Sequence, residues 1–509
     1  MREARTVATR RNWTPSLAGL VCLVLLLGAG RLAGDGKSSE TLDLVIVHGR
    51  VMDPESGLDA VRNIGIKDGK IRAVTSDPLT GTRTIDATGL VVAPGFIDLH
   101  EHGQEPRNYE FQAHDGVTTS LELEGGTDDV DTWYAAREGK SLINFGVSIG
   151  HIPVRSAVLT QSEKGKGILD KDDQAAMRAE AAAAHREAVP QELKRMVEQM
   201  EKGFRRGALA EGMGINYTPG ASRPEILEMF QVAAKYGAPV HVHLRYASLL
   251  EPQTGLAALE EVIAASATTG APLHVVHITS MGLKFTPQLI AMVEGAQKHG
   301  LDVTTECYPY TASSTSLESA IFDEGWQQRY GITYHDLQWA ATGERLTAET
   351  FAKYRKQGGV VVIHQIPPEA ALAAVSSPIV MIGSDGMPIT GPKIHPRGQG
   401  TFSRVLGYYV REQKALDLMT ALRKMTLMPA QRLEKRAPAF RNKGRLRGGA
   451  DADITVFDAG TIIDKATFEE PLQFSAGIPY VLVNGIAVVD QGKTVDQVFP
   501  GRAARAPVQ

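Results

Sequence analysis

The sequence predicts an α/β protein: a (β/α)8 TIM-type barrel carrying a small β-sandwich domain built from both chain ends. Three observations predict it. The middle of the chain alternates apolar strand-like runs with helical ones, and both ends are short, turn-rich and β-like. Histidines and acidic residues also collect where the central strands should end. At 509 residues with 43% hydrophobic content, the chain is long enough to bury a core of this size.

The elements follow in order. Residues 1–36 read as a secretory signal: Arg2, Arg5, Arg10 and Arg11 precede the apolar run LAGLVCLVLLLGAG and a small, polar stretch. That run is shorter than the roughly 20 residues that span a bilayer. TRRNW is similar to a twin-arginine signal and leaves the choice between the two export routes open. The expectation is an exported protein, periplasmic or secreted, with no stable membrane insertion once the signal is removed. Cys22 and Cys307 are the only cysteines, and the first lies in the expected signal, so the mature chain has no internal disulfide. A net charge of −4 with no long basic run argues against nucleic acid as a partner.

From Asp43, LDLVIVHGRVMD, NIGIKDGKIRAV and RTIDATGLVVAP alternate with Gly, Asp and Asn turns; ADITVFD and YVLVNGIAVVDQGKT repeat the style near the end. Residues 42–95 and 440–506 are therefore expected to form one composite β domain. The barrel is expected over 96–439. FGVSIGHI, GMGINYT, APVHVHLR, PLHVVHITS, LDVTTECYPY, VVVIHQ and SPIVMIGSDG read as its strands, while PEILEMFQVAAKYG, GLAALEEVIAASATTG and PQLIAMVEGAQKHG read as helices ending in Gly. The Ala-rich charged segment after Leu159 reads as solvent-exposed helix, and 313–359 as an insertion that covers the barrel mouth.

The chemistry-bearing residues sit at the predicted strand ends. In PGFIDLHEHG, His100 and His102 are two apart, so an extended strand turns both imidazoles to one face, where they can chelate one ion. Two hydrogen-bonded histidines explain that pair equally well on its own. HVHLR adds His241 and His243, HVVHITS adds His274 and His277, LELEGG sets Glu122 and Glu124 on one face, and IGSDG ends a strand at Asp385. A buried carboxylate is costly unless it meets a cation. Five such ends with N and O donors and no cysteine suggest a hydrolytic, zinc-type centre. His274 points away from His277 on an extended strand and is expected to pack; His241 is ambiguous. His48, His185, His299 and His335 lie in stretches without site character, and Asp98 is expected to orient a ligand.

The motifs PGFIDLHEH, GVTTS, GHIPVR, GMGINYTPGA, HVHLR, VVHITS, ECYPYTAS, IGSDGMP, HPRGQGTFSRVLGYYVRE, RKMTLMPAQRL and GADADITVFD occur in the order found in N-acyl-D-amino-acid deacylases, the D-aminoacylases of the amidohydrolase superfamily. The resemblance runs from about Asp43 to Ala506. It implies one or two Zn2+ ions held by His100, His102, His243 and His277, a catalytic Asp385, and Tyr308 and Arg397 handling the substrate's carbonyl and carboxylate. It implies metal-assisted hydrolysis of a small N-acylated amino acid to a carboxylate and a free D-amino acid, a linear-amide hydrolase activity. Two departures stand out. Relatives place a cysteine ligand after GVTT in a GNCG context, where this chain has LELEGG; Glu124, ahead of Glu122, is inferred to take that role. The HLK lysine of the family is replaced by Thr279 in HIT. A dipeptidase or cyclic-amide hydrolase, such as a dihydropyrimidinase or hydantoinase, is the alternative reading, and a non-catalytic barrel a more distant one.

Overall fold

The computed structural model describes residues 41–160 and 181–509. The segment read as an export signal and the first half of the Ala-rich stretch lie outside the described residues. The chain opens with β1 (Leu42–Asp53), β2 (Leu58–Lys67), β3 (Lys70–Thr75), β4 (Gly81–Asp86) and β5 (Val91–Pro94). It continues through β6 (Phe96–Asp98), β7 (Val117–Thr127), β8 (Asn144–Gly150), β9 (Glu211–Gly214), β10 (Val240–His243), β11 (Leu273–Val275) and β12 (Val303–Cys307). Then come β13 (Ser313–Ser316), β14 (Leu337–Trp339), β15 (Val360–Ile363) and β16 (Val380–Ile382), and last β17 (Ile454–Phe457), β18 (Tyr480–Val483), β19 (Ile486–Asp490) and β20 (Lys493–Thr494).

Strands from both ends share one nine-stranded sheet, ordered β20-β19-β18-β17-β5-β1-β2-β3 with β4 added beside β1. The join is the antiparallel pair of β17 and β5, where Ile454 faces Pro94 and Val456 faces Val92. Asp68-Gly69 and Asn484-Gly485 turn the β2–β3 and β18–β19 hairpins, all four with positive φ as such two-residue turns require. Ile46, Ile64, Ile71, Val92, Ile454 and Leu482 come from six strands and form one core, so the sheet wraps around its own apolar centre.

The second sheet is parallel and eight-stranded, ordered β6-β7-β8-β9-β10-β11-β12-β16. Its last and first strands meet beyond their ladders. Asp385 N donates to His100 O at 2.7 Å, His102 N to Gly386 O at 2.8 Å, and Ser384 N to Asp98 Oδ1 at 3.0 Å. Asp98 also accepts from His100 N at 3.1 Å, so it fixes backbone on both sides of the seam. The barrel therefore closes through the very segments that carry candidate site residues. Helices Arg223–Lys235, Gly255–Thr269 and Thr286–Lys298 fall where the sequence predicts them, and Ser222 and Thr254 cap the first two.

Two expectations need correction. VVVIHQ is not a barrel strand: β15, just past residue 359, joins the expected insertion, lying between its β13 and β14 in an antiparallel three-stranded sheet. The described part of the Ala-rich stretch is not solvated all round, because helix Pro190–Arg205 buries Met196, Met200 and Phe204 against the barrel. Among the described residues, no helix is long and apolar enough to cross a membrane.

Candidate metal centre and active site

Six of the eight barrel strands deliver residues to one rim from their C-terminal ends: His100 and His102 (after β6), Glu122 and Glu124 (β7), His243 (β10), His277 (after β11), Tyr308 (after β12) and Asp385 (after β16). Glu124 is the centre of the group. Its Oε2 lies 3.0 Å from His100 Nε2 and 3.1 Å from His102 Nε2; its Oε1 lies 2.9 Å from His243 Nδ1 and 3.6 Å from His277 Nε2. Asp385 Oδ1 joins the first lobe, 3.5 Å from His100 Nε2 and 3.4 Å from His102 Nε2. Two donor sets thus share one carboxylate: His100, His102, Glu124 and Asp385, and Glu124, His243 and His277.

Each imidazole of the first lobe is aimed from behind. His100 Nδ1 meets Glu306 at 2.5 Å, and His102 Nδ1 meets Glu122 at 2.7 Å. Glu122 in turn accepts from Gly125 N at 2.9 Å. In the second lobe, His277 Nδ1 lies 2.8 Å from Ser280 Oγ. Such partners fix which ring nitrogen faces the centre. His277 (φ 30°) and Asp385 (φ 52°) both hold the left-handed conformation, a local strain sustained by the surrounding bonds. At Gly386 a Cβ would lie 1.9 Å from Glu101 Oε2, so the chain after Asp385 passes too close for a side chain.

The electrostatics are those of a site built for cations. Burial pushes the Glu124 carboxyl up, yet hydrogen bonds from His100, His102, His243 and His277 hold it well below its ordinary range. Asp385 is likewise held at about 2 against burial, chiefly by the Arg397 guanidinium and His100. Burial pulls His100 and His102 down, and the surrounding carboxylates overcome it and raise both well above 6.5. Four imidazoles and two ionised carboxylates, all N and O donors, fit zinc or a similar divalent ion, whose charge would replace those protons.

A cavity of about 620 Å³ opens onto this group, with His102, Glu124, His243, His277, Tyr308 and Asp385 in its wall. Among the described residues, the Tyr308 hydroxyl has no hydrogen-bond partner. Arg397 sits behind the wall rather than in it. It is 1% exposed, its guanidinium lies 4.7 Å over the Tyr308 ring, and Nη1 is 2.8 Å from Asp385 Oδ2 without hydrogen-bond alignment; Nη2 donates to Ser314 O at 3.3 Å. Thr279 is fully buried, and its hydroxyl meets no hydrogen-bond partner among the described residues. His241 and His274 are buried below the centre with rings 4.4 Å apart. His48, His299 and His335 are exposed, but His185 lies in the outer cavity wall, paired with Asp323 at 2.7 Å. Sequence reasoning missed Glu306 and Ser280. A lone carboxylate inside VTTEC, two residues before Tyr308, was the available signal for the first.

A parallel barrel whose strand ends gather imidazoles around one shared carboxylate defines a class, the barrels built to hold divalent metal. Within that class the chain belongs to the amidohydrolase family, in its D-aminoacylase branch; the family model matches residues 153–489. It is 31% identical to the N-acyl-D-glutamate deacylase of Alcaligenes xylosoxydans xylosoxydans, over 92% of this chain and 97% of that one. A D-aminoacylase of the same organism is 28% identical over 92% and 97%. Among solved structures, N-acyl-D-glutamate deacylase from Bordetella bronchiseptica, complexed with zinc and a phosphonate mimic of the tetrahedral intermediate, superposes with a TM-score of 0.77 at 26% identity, covering 92% of this chain and all of that one.

Proposed function

We propose that this protein is a zinc-dependent deacylase that hydrolyses N-acyl-D-amino acids to a carboxylate and a free D-amino acid. The observation that carries the reading is Glu124 shared between two histidine pairs, with Asp385 beside it on the cavity wall. Its relatives' activities and the zinc-bound neighbour support it. His100, His102, Glu124, His243 and His277 would hold one or two ions. Bound there, zinc supplies Lewis acidity, polarising a carbonyl and making water more acidic.

The chain's own groups do the rest. Asp385, ionised at neutral pH, accepts the proton of the attacking water and returns it to the leaving amine nitrogen. The Tyr308 hydroxyl, unpartnered and facing the cavity, donates to the carbonyl oxygen as negative charge develops on it. Arg397, behind the wall with Nη1 2.8 Å from Asp385 Oδ2 and its guanidinium over the Tyr308 ring, keeps Asp385 ionised and holds both groups in place. The test is amine release from paired N-acetyl-D- and N-acetyl-L-amino acids by zinc-loaded protein. Cleavage confined to the D series is expected; cleavage of neither series, or of the L series alone, refutes the reading.

We infer further that the protein is exported, on the strength of the Arg-rich start and apolar run of residues 1–36. Fractionation of cells producing the full chain should recover a shortened protein outside the cytoplasm; full-length protein retained inside contradicts this.

A further inference from the structure

The insertion sheet is ordered β13-β15-β14, which leaves β13 an edge strand, and Ser313, Ser314, Thr315 and Ser316 all line the cavity. Its hydrogen-bond parity can be read. Ser316 faces Val360 in the antiparallel register, and one step on, Leu317 N donates to Gly359 O at 2.8 Å. Bonded and non-bonded pairs alternate in such ladders, so Ser313 and Thr315 turn their backbone groups toward β15, and Ser314 and Ser316 turn theirs away. Two carbonyls agree: Ser314 O accepts from Arg397 Nη2 at 3.3 Å, and Ser316 O from Ser319 N at 3.2 Å. The N–H groups of Ser314 and Ser316 therefore point away from β15, along the cavity-lining edge that carries no further strand, and neither donates to another described residue.

Donors on alternate residues of a strand lie about 7 Å apart, the repeat at which an extended peptide presents carbonyls on one side. The edge also abuts the reacting centre, since Arg397 alone spans from Ser314 O to Asp385 Oδ2. The cavity, about 620 Å³, is of a size that encloses ligands much larger than an N-acetyl amino acid.

We propose that the acyl group of the preferred substrate is peptidic, a short peptidyl chain that adds to β13 as a further strand, its carbonyls accepting from Ser314 N–H and Ser316 N–H. The inference rests on the deacylase reading. Water adds across the amide joining the last peptidyl carbonyl to the D-residue nitrogen, giving a peptide carboxylate and a free D-amino acid. A fatty acyl chain of equal length offers these donors no acceptor and leaves them unpaired.

The experiment compares kcat/KM of the zinc-loaded enzyme on N-acetyl-D-leucine, N-octanoyl-D-leucine and N-acetyl-Ala-Ala-D-leucine. The peptidyl substrate is expected to exceed the octanoyl one by about tenfold, the worth of one or two ordinary hydrogen bonds. Ser316→Pro removes one outward N–H while sparing the ladder, as edge positions allow, and should cut that ratio about fivefold; Ser316→Ala, which keeps the N–H, should retain it. Equal kcat/KM for the two long substrates, or a ratio unmoved by Ser316→Pro, overturns the proposal. Should Ser316→Pro fail to fold, the substrate comparison decides alone. Cleavage of none of the three overturns the deacylase reading, a separate failure.

Discussion

At the scale of single residues, the site turns on which of two glutamates faces the centre. Glu122 and Glu124 share a face of β7, as period two dictates, but only Glu124 reaches both histidine pairs, while Glu122 braces His102 from behind. Their substitutions should separate. Glu124→Gln is expected to abolish stoichiometric zinc binding, and Glu122→Gln to weaken it about 10- to 100-fold, as removal of an orienting partner does; metal titration of the two variants checks this. Tyr308→Phe should lower kcat about 100-fold with a smaller effect on KM, because its donor acts on charge present only in the transition state. The pair His100 and His102 was legible because i, i+2 spacing leaves a mark in the sequence, whereas His243 and His277 come together only through the pairing of separate strands. Glu306 was not legible, since the partner it aims, His100, lies on another strand some 200 positions away. The burial of Arg397 behind Asp385 and Tyr308 was equally hidden, being set by the docking of the insertion sheet through Ser314.

At the scale of elements, the parallel strands and their helices could be read from apolar runs ended by Gly, whereas β15 could not be placed. VVVI is a short buried apolar run, and such a run looks alike in a barrel and in the middle of an antiparallel sheet. Its position between β13 and β14 depends on pairing partners that the pattern does not encode. The helix Arg397–Arg404, which carries the guanidinium of the site, is tied down by Asp115, a buried carboxylate accepting from Phe402 N at 2.8 Å, Ser403 N at 2.9 Å and Ser475 Oγ at 2.8 Å. Burial outweighs these donors and raises Asp115 to about 7 from an ordinary 3.8. The folded state therefore binds a proton that the unfolded state has released between about pH 4 and 7, so this residue makes stability fall as pH rises through that window. Asp115→Asn should flatten that part of the profile, checked by melting temperatures of variant and parent from pH 4 to 8; an unchanged slope contradicts the assignment.

At the scale of the whole molecule, a metal in the Glu124 centre would tie together the ends of four strands, β6, β7, β10 and β11, across a barrel whose first and last strands meet only through a short seam. Metal that binds only the folded state adds stability by mass action, about 2.7 kcal/mol at a concentration 100 times its dissociation constant. Chelation should accordingly lower the melting temperature by several degrees, and zinc restore it. The roles of this centre and of Asp385 can be measured together: metal-free protein titrated with zinc, with bound metal and hydrolysis of N-acetyl-D-leucine followed together in the parent and in Asp385→Asn. Parent activity is expected to rise from nothing with bound zinc, and Asp385→Asn to bind zinc yet stay inactive. Full activity of the metal-free protein, or turnover by zinc-loaded Asp385→Asn near the parent rate, would contradict those roles.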